Sequence, residues 1–147
     1  MFKVKGKILL ELDVPTISGL IYPKEVALSI IKKVKEQKIY GIVSKNEYLG
    51  DIYEKEIKGK ETFCWIDKPR VIVDETEEPS QLLLICDVIF DESKMDEKLL
   101  NLIKLGKWRI SVAGNGISDT ETHIVENYEM MFFIIENVEE LYYNNKD

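Results

Sequence analysis

A turn and the start of a helix follow each other in Ser18-Gly19-Leu20-Ile21-Tyr22-Pro23-Lys24-Glu25-Val26. Gly19 suits the turn because a residue without a β-carbon adopts positive φ at little cost. Pro23 suits the first turn of a helix because its ring presets φ near the helical value. We therefore expect a first strand to end before this stretch and a helix to begin within it.

The helix that begins here is predicted to be amphipathic. Its apolar residues recur every three or four positions, the spacing of one helix face, at Val26, Ile30, Ile31 and Val34. Between them stand charged residues, which we expect to face water: Lys32, Lys33, Lys35 and Glu36.

Outward from this helix, the pattern predicts strands on both sides. Residues 3–13 alternate and then become apolar, and Pro15 ends the run. Residues 39–43 form a short apolar burst, and residues 46–60 have no sustained period and are predicted as a loop. Further strands are predicted at 62–66 and at 81–90, the latter central in its sheet because it is nearly all apolar. Residues 70–73 are either a separate strand or a continuation past a bulge at Pro69.

A second helix is predicted after residue 93. Ser93 is the expected cap, with Asp96 three residues later as in a capping box, and Gly106 is the expected end. The buried stripe is predicted from Leu99, Leu102 and Ile103, with Leu100 as a further candidate. The predicted continuation is a strand at 108–113, a turn at Gly114-Asn115-Gly116, strands at 122–126 and 128–137, and a frayed tail at 141–147.

These elements predict an α+β fold. Two principal helices and six to eight strands occur without βαβ alternation, so we expect a mostly antiparallel, barrel-like sheet with the helices packed on it. The chain has 147 residues, which is enough for one domain with a real core. We place that single domain at residues 1–140.

The composition excludes several classes of function. The formal net charge is −7, whereas nucleic-acid binding needs a clustered basic surface. No apolar run approaches the roughly 20 residues of a membrane span, and the N-terminus lacks a signal-peptide pattern, so we expect an intracellular protein. The acidic segments 74–78 and 136–140 are interpreted as solvated loops or edges, with a docking surface for a basic partner as the alternative.

The two cysteines are predicted to be buried free thiols. Cys64 and Cys86 lie in segments that we interpret as strands, and nothing indicates a secretory, disulfide-forming context. No second Cys or His stands at metal-ligand spacing, so the sequence predicts no metal and no cofactor.

Two segments resemble the phage prohead core proteases of the T4 type, relatives of the herpesvirus assembly protease. The first runs from Tyr22-Pro23-Lys24-Glu25-Val26 through the helix to Tyr40-Gly41-Ile42-Val43. The second runs from the helix at 99–106 through Ile110-Ser111-Val112-Ala113-Gly114-Asn115-Gly116. Roughly residues 5–138 can be laid along the family in order. The resemblance implies a prohead-protease-like fold.

The resemblance also implies where catalytic residues would stand. The nucleophile position is Ser111, or Val112 or Ala113 if the alignment slips by one residue. Lys45 or a neighbour occupies the place of the family's histidine, and the second serine and the arginine of the family motif are not retained. The one histidine, His123, matches neither place and is interpreted as an ordinary strand residue. Ser111 and Lys45 could form a dyad only if the lysine were desolvated.

The first functional expectation is therefore a degenerate protease domain without catalytic residues. It would be a structural or auxiliary protein of a phage capsid, of the decoration or cement kind. Assembled in the host cytoplasm and located in the virion, it would bind the major capsid protein or other virion proteins. A homo-oligomer is left open.

Two alternatives remain. The chain could be an active maturation serine endopeptidase that cleaves scaffold and capsid precursors, with Ser111 as nucleophile and Lys45 or His123 as base. It could also be an unrelated α+β binding module.

Overall fold

The computed structural model describes residues 1–44 and 48–138. It confirms the α+β class. Within the described residues, six strands and three α-helices occur in this order: β1 (Phe2–Leu12), α1 (Lys24–Glu36), β2 (Gly41–Val43), α2 (Leu49–Ile52), β3 (Cys64–Asp74), β4 (Gln81–Phe90), α3 (Glu97–Leu105), β5 (Arg109–Ser118) and β6 (Val125–Glu136).

The strands form two three-stranded sheets instead of one barrel-like sheet. The first sheet has the order β1-β4-β3 and is antiparallel throughout, with β4 central as predicted. The second has the order β2-β6-β5, in which β2 runs parallel to β6 and β5 antiparallel to it. Where β1 meets β5, the Lys7 ammonium donates to the Trp108 carbonyl oxygen at 2.8 Å, and no backbone ladder joins these two strands. The expectation of a barrel-like sheet was therefore wrong for the part of the chain described.

The turn and helix start at residues 18–26 are as predicted. Gly19 has φ +84°, and its N–H donates to the Thr16 carbonyl oxygen at 2.8 Å. Ile21 bridges Pro15 on one side and Ile124 on the other, which ties this loop to the start of β6. Pro23 is the N-cap of α1, one position before the first helical turn.

The main core lies between the two sheets and the helices α1 and α3. From α1 it receives Val26, Ala27 and Ile30, with Ile31 and Val34 packed against it. A smaller cluster lies on the other side of the second sheet, under α2, and contains Ile42, Ile52, Ile57, Ala113, Phe132 and Ile134.

The predicted loop at 46–60 is helical in large part. Residues 46 and 47 lie outside the described residues, but α2 is followed by a π-helical turn at Tyr53–Ile57. Ile52 and Ile57 are buried against β5 and β6. These two isoleucines are five residues apart, which fits a π-helical turn. The prediction relied on the 3.6-residue period of an α-helix and therefore missed this segment.

The capping of α3 differs from the prediction. Asp96 is the N-cap, and its carboxylate accepts from the Leu99 N–H at 2.8 Å. Ser93 belongs to the preceding 3₁₀ turn at Glu92–Lys94, where its N–H and hydroxyl donate to Asp91. The end at Gly106 is confirmed, since this residue has φ +76°.

Three predictions about strand boundaries are settled by the ladders. Residues 64–66 of the predicted strand 62–66 and the segment 70–73 belong to the single strand β3, with a bulge between Asp67 and Arg70. The predicted turn at 114–116 lies inside β5, and the predicted strands at 122–126 and 128–137 are largely the single strand β6. Asn127, with φ +51°, interrupts the alternation of β6, which explains why the pattern suggested two strands.

Candidate functional site

Ser111, the predicted nucleophile, lies on β5 opposite Ile134 of β6. Its hydroxyl donates to the Glu136 Oε1 at 3.0 Å. The other carboxylate oxygen of Glu136 accepts from the Arg109 Nε at 2.8 Å. The three side chains form a partly exposed network, which we call the Glu136 tie, that connects the start of β5 to the end of β6.

The structure does not bring Ser111 and His123 together. Ser118 pairs with Val125 at one end of the β5–β6 hairpin, and Ser111 pairs with Ile134 near the other. At about 3.3 Å per residue, the seven residues from 111 to 118 span about 23 Å. A serine and its base need contact at about 3 Å. His123 is also not a strand residue as expected: it has φ +60° in the turn before β6, and its main-chain carbonyl accepts from the Ile21 N–H.

Lys45 lies outside the described residues, so its pairing with Ser111 stays a prediction. The last described residue before it, Ser44, donates its N–H to the Ile135 carbonyl oxygen at 3.0 Å. Ser44 and Ser111 therefore flank β6 from opposite sides.

The glycines near Ser111 do not form the turn that would offer oxyanion-binding N–H groups. Gly114 lies within the β5–β6 ladder opposite Met130. A β-carbon at residue 114 would stand 2.0 Å from the Glu129 carbonyl oxygen, so glycine is required there by the close approach of two backbones.

A second polar centre, which the sequence analysis did not identify, surrounds Asp87 in the middle of β4. Asp87 is 3% exposed and is the one buried charged residue in the described part of the chain. Its Oδ1 accepts from the Gly6 N–H and from the Arg70 guanidinium, both at 3.1 Å. Lys3 lies 4.0 Å from Oδ2 and also pairs with Asp67 at 2.9 Å.

Both neighbouring strands bulge at the level of Asp87. The bulge in β1 lies between Val4 and Lys7 and contains Gly6, with φ +71°. The bulge in β3 lies between Asp67 and Arg70 and contains Lys68, with φ +47°. These bulges aim the Gly6 N–H and the Arg70 side chain at the carboxylate. The signal in the sequence was a single aspartate within an apolar strand, since a buried carboxylate requires partners.

The charge of Asp87 is stabilised by these partners. Burial acts to raise the pKa of its carboxyl group, but the Gly6 N–H, the Arg70 guanidinium and the Lys3 ammonium outweigh burial and hold this pKa below its usual value. Asp87 is therefore a fixed negative charge at neutral pH.

The side of the first sheet that carries Asp87 faces away from the core. On β4 the core receives Leu84, Cys86, Val88 and Phe90, whereas Leu83 and Ile85 are buried but belong to neither core cluster. Since side chains alternate along a strand, Leu83 and Ile85 lie on the same side as Asp87. Directly beside them lie Ile72 of β3 and Ile8 of β1, which are 38% and 49% exposed. We call this side of the sheet the outer face.

Neither thiol is placed for catalysis. Cys64 and Cys86 are free and buried, as predicted. Burial raises the pKa of both thiols, that of Cys86 to about 12. They are protonated at neutral pH and therefore poor nucleophiles.

The described residues contain no cluster of three or more His, Cys, Asp or Glu side chains arranged to hold a metal ion. In the same part of the chain, no helix has the length and apolar character needed to cross a membrane.

Comparisons of the chain with protein-family models, with curated proteins and with solved structures found no match.

Proposed function

We propose that this protein is a non-catalytic structural or auxiliary protein of a phage capsid. It binds the major capsid protein or another virion protein and cleaves neither. The observation that supports this function is the Glu136 tie: the hydroxyl of Ser111, the one serine among the three candidate nucleophile positions, donates to a carboxylate that is itself paired with Arg109. In this arrangement the Ser111 hydroxyl links β5 to Glu136 of β6 and so stabilises the hairpin of these two strands. The capsid context comes from the resemblance of residues 22–43 and 99–116 to the prohead core proteases.

One surface feature suits binding to a capsid partner. Ile17 is 95% exposed at the tip of the turn from Thr16 to Leu20. This turn is held by its own hydrogen bonds: the Thr16 N–H donates to the Leu20 carbonyl oxygen at 2.9 Å, and the Gly19 N–H donates to the Thr16 carbonyl oxygen at 2.8 Å. Because the turn is already ordered, placing Ile17 in an apolar pocket of a partner costs little conformational entropy.

The proposal is tested by the protein content of purified virions. Mass spectrometry of virions, separated from free protein by density gradient, should detect this chain at a fixed ratio to the major capsid protein. Ile17→Gln should lower that ratio. Leu105→Gln is the matched control, because Leu105 is 65% exposed at the end of α3, and should leave the ratio unchanged. Virions that lack the wild-type chain would contradict the capsid function.

A further inference from the structure

The outer face has an apolar middle and oppositely charged ends. Its middle is the apolar band of Ile8, Ile72, Leu83 and Ile85. On the strands at the end near Asp87, four exposed or partly exposed cations, Lys3, Lys5, Lys68 and Arg70, outnumber the carboxylates of Asp67 and Asp87. Just beyond β4, Glu92 is paired with the Met1 ammonium and Asp91 accepts from the Ser93 hydroxyl. We call this end of the sheet the basic end.

The opposite end of the same sheet is acidic. Five carboxylates lie at or beyond the turn that joins β3 to β4 and on the neighbouring part of β1: Glu11, Asp74, Glu75, Glu77 and Glu78. No Lys or Arg occurs from residue 71 to residue 93, so the four carboxylates of the turn have no cation of their own segment beside them. We call this the acidic end.

We infer that two copies of this chain pair through their outer faces, related by a two-fold axis that lays the two sheets in opposite directions. A two-fold interface brings the same patch of both copies together and must therefore be self-complementary. In the opposed orientation, the apolar bands meet at the centre and each basic end faces the partner's acidic end. This inference goes beyond the proposed function and does not depend on it.

The buried charge does not oppose this pairing. Covering a buried carboxylate is costly when it lacks partners. Asp87 already has the Gly6 N–H, Arg70 and Lys3 around it within its own chain. A second copy can therefore cover the outer face without leaving an unpaired charge beneath it.

The edges of the first sheet favour face-to-face contact over strand addition. Edge strands are protected from pairing by prolines, bulges and lysines. The edge strand β3 carries Pro69 within a bulge, and the edge strand β1 carries a bulge at Gly6 flanked by Lys5 and Lys7. A partner therefore meets fewer obstacles on the outer face than along either edge.

The size of the outer face predicts a weak dimer. Three strands about 4.8 Å apart and about ten residues long cover about 1,000 Å² when both copies are counted. Stable complexes bury about 1,200–2,000 Å². The dimer should therefore be concentration-dependent, with dissociation in the micromolar to millimolar range.

Sedimentation velocity of the full chain over increasing concentration, up to about 1 mM, tests the inference. The wild-type chain should shift from monomer to dimer. Ile8→Asp should raise the dissociation constant about tenfold or more, because it places a charge in the apolar band of both copies. Leu28→Asp is the control, since Leu28 is 51% exposed on α1, and should leave the dissociation constant unchanged.

A charge-reversal experiment separates a two-fold dimer from any other association. One variant carries Lys5→Glu with Lys68→Glu, and the other carries Glu75→Lys, Glu77→Lys and Glu78→Lys. Each alone should remain monomeric, because its two ends then have the same sign. An equal mixture should form a heterodimer, because each end then faces its opposite.

The inference is overturned if the wild-type chain stays monomeric throughout the range, or if the mixture of variants associates no better than either variant alone. Either result leaves the virion experiment unaffected, so failure of the dimer and failure of the capsid function are distinguishable.

Discussion

Asp87 shows how one residue shapes the sheet around it. A carboxylate in the middle of a central strand is costly to bury. The two bulges and the αL residue Gly6 supply the donors that make it tolerable. The sequence displays Asp87 as an isolated acid in an apolar run, but its partners come from residues 3–6 and 67–70, so no local pattern could identify them.

Replacing Asp87 with Asn should destabilise the fold by about 1–3 kcal/mol at pH 7, because the variant loses charged hydrogen bonds with Gly6 and Arg70. The folded-state pKa of Asp87 lies below the unfolded value of about 3.9. Its ionised form therefore stabilises the fold above that value, and this stability is lost as the pH falls through the folded-state pKa.

Urea unfolding of wild type and Asp87→Asn at pH 7 and at pH 3 measures this effect. The free energy of unfolding should differ more between the two proteins at pH 7 than at pH 3. A difference that stays the same at both pH values would show that the charge of Asp87 contributes nothing.

Gly114 illustrates why a glycine in a sequence can be misread. Glycine, asparagine and glycine in succession favour a turn because all three tolerate positive φ. In the structure Gly114 is extended, and what it provides is room for the Glu129 backbone. That requirement depends on a strand fifteen residues away, which the local pattern cannot contain.

At the scale of elements, the periodic patterns in the sequence were sufficient to predict the longer helices and strands. The start of α1, the end of α3 and the central strand β4 followed from proline, glycine and apolar spacing. The failures lie where tertiary packing decides. Both α2 and the π-helical turn after it bury Ile52 and Ile57 against the second sheet, and neither has a periodic pattern of its own.

The cap of α3 provides a test at this scale. Asp96→Ala should lower the free energy of unfolding by about 1 kcal/mol, because the Leu99 N–H loses its partner. Ser93→Ala should cost less than about 0.5 kcal/mol, as expected for a surface position outside the helix. Thermal or urea unfolding of both variants measures the difference. A larger decrease in the free energy of unfolding for Ser93→Ala than for Asp96→Ala would show that Ser93 is the cap.

At the scale of the whole molecule, the sequence predicted the α+β class but not the division of the strands into two sheets. The strands were recognisable one by one, whereas their grouping into two sheets depends on pairings between distant residues. The same limit applies to the candidate site. Ser111 and His123 are only twelve positions apart in the sequence, yet they lie at opposite ends of one hairpin.

The central claim of the proposed function is that Ser111 stabilises a hairpin and does not cleave peptide bonds. Phage carrying Ser111→Ala tests it most directly, with the N-termini of the capsid and scaffold proteins determined by mass spectrometry. Arg109→Ala is the matched control, because it weakens the Glu136 tie and leaves the hydroxyl in place. We predict the same N-termini in wild type and in both variants. Unprocessed precursors in Ser111→Ala alone would contradict the claim and establish a peptidase.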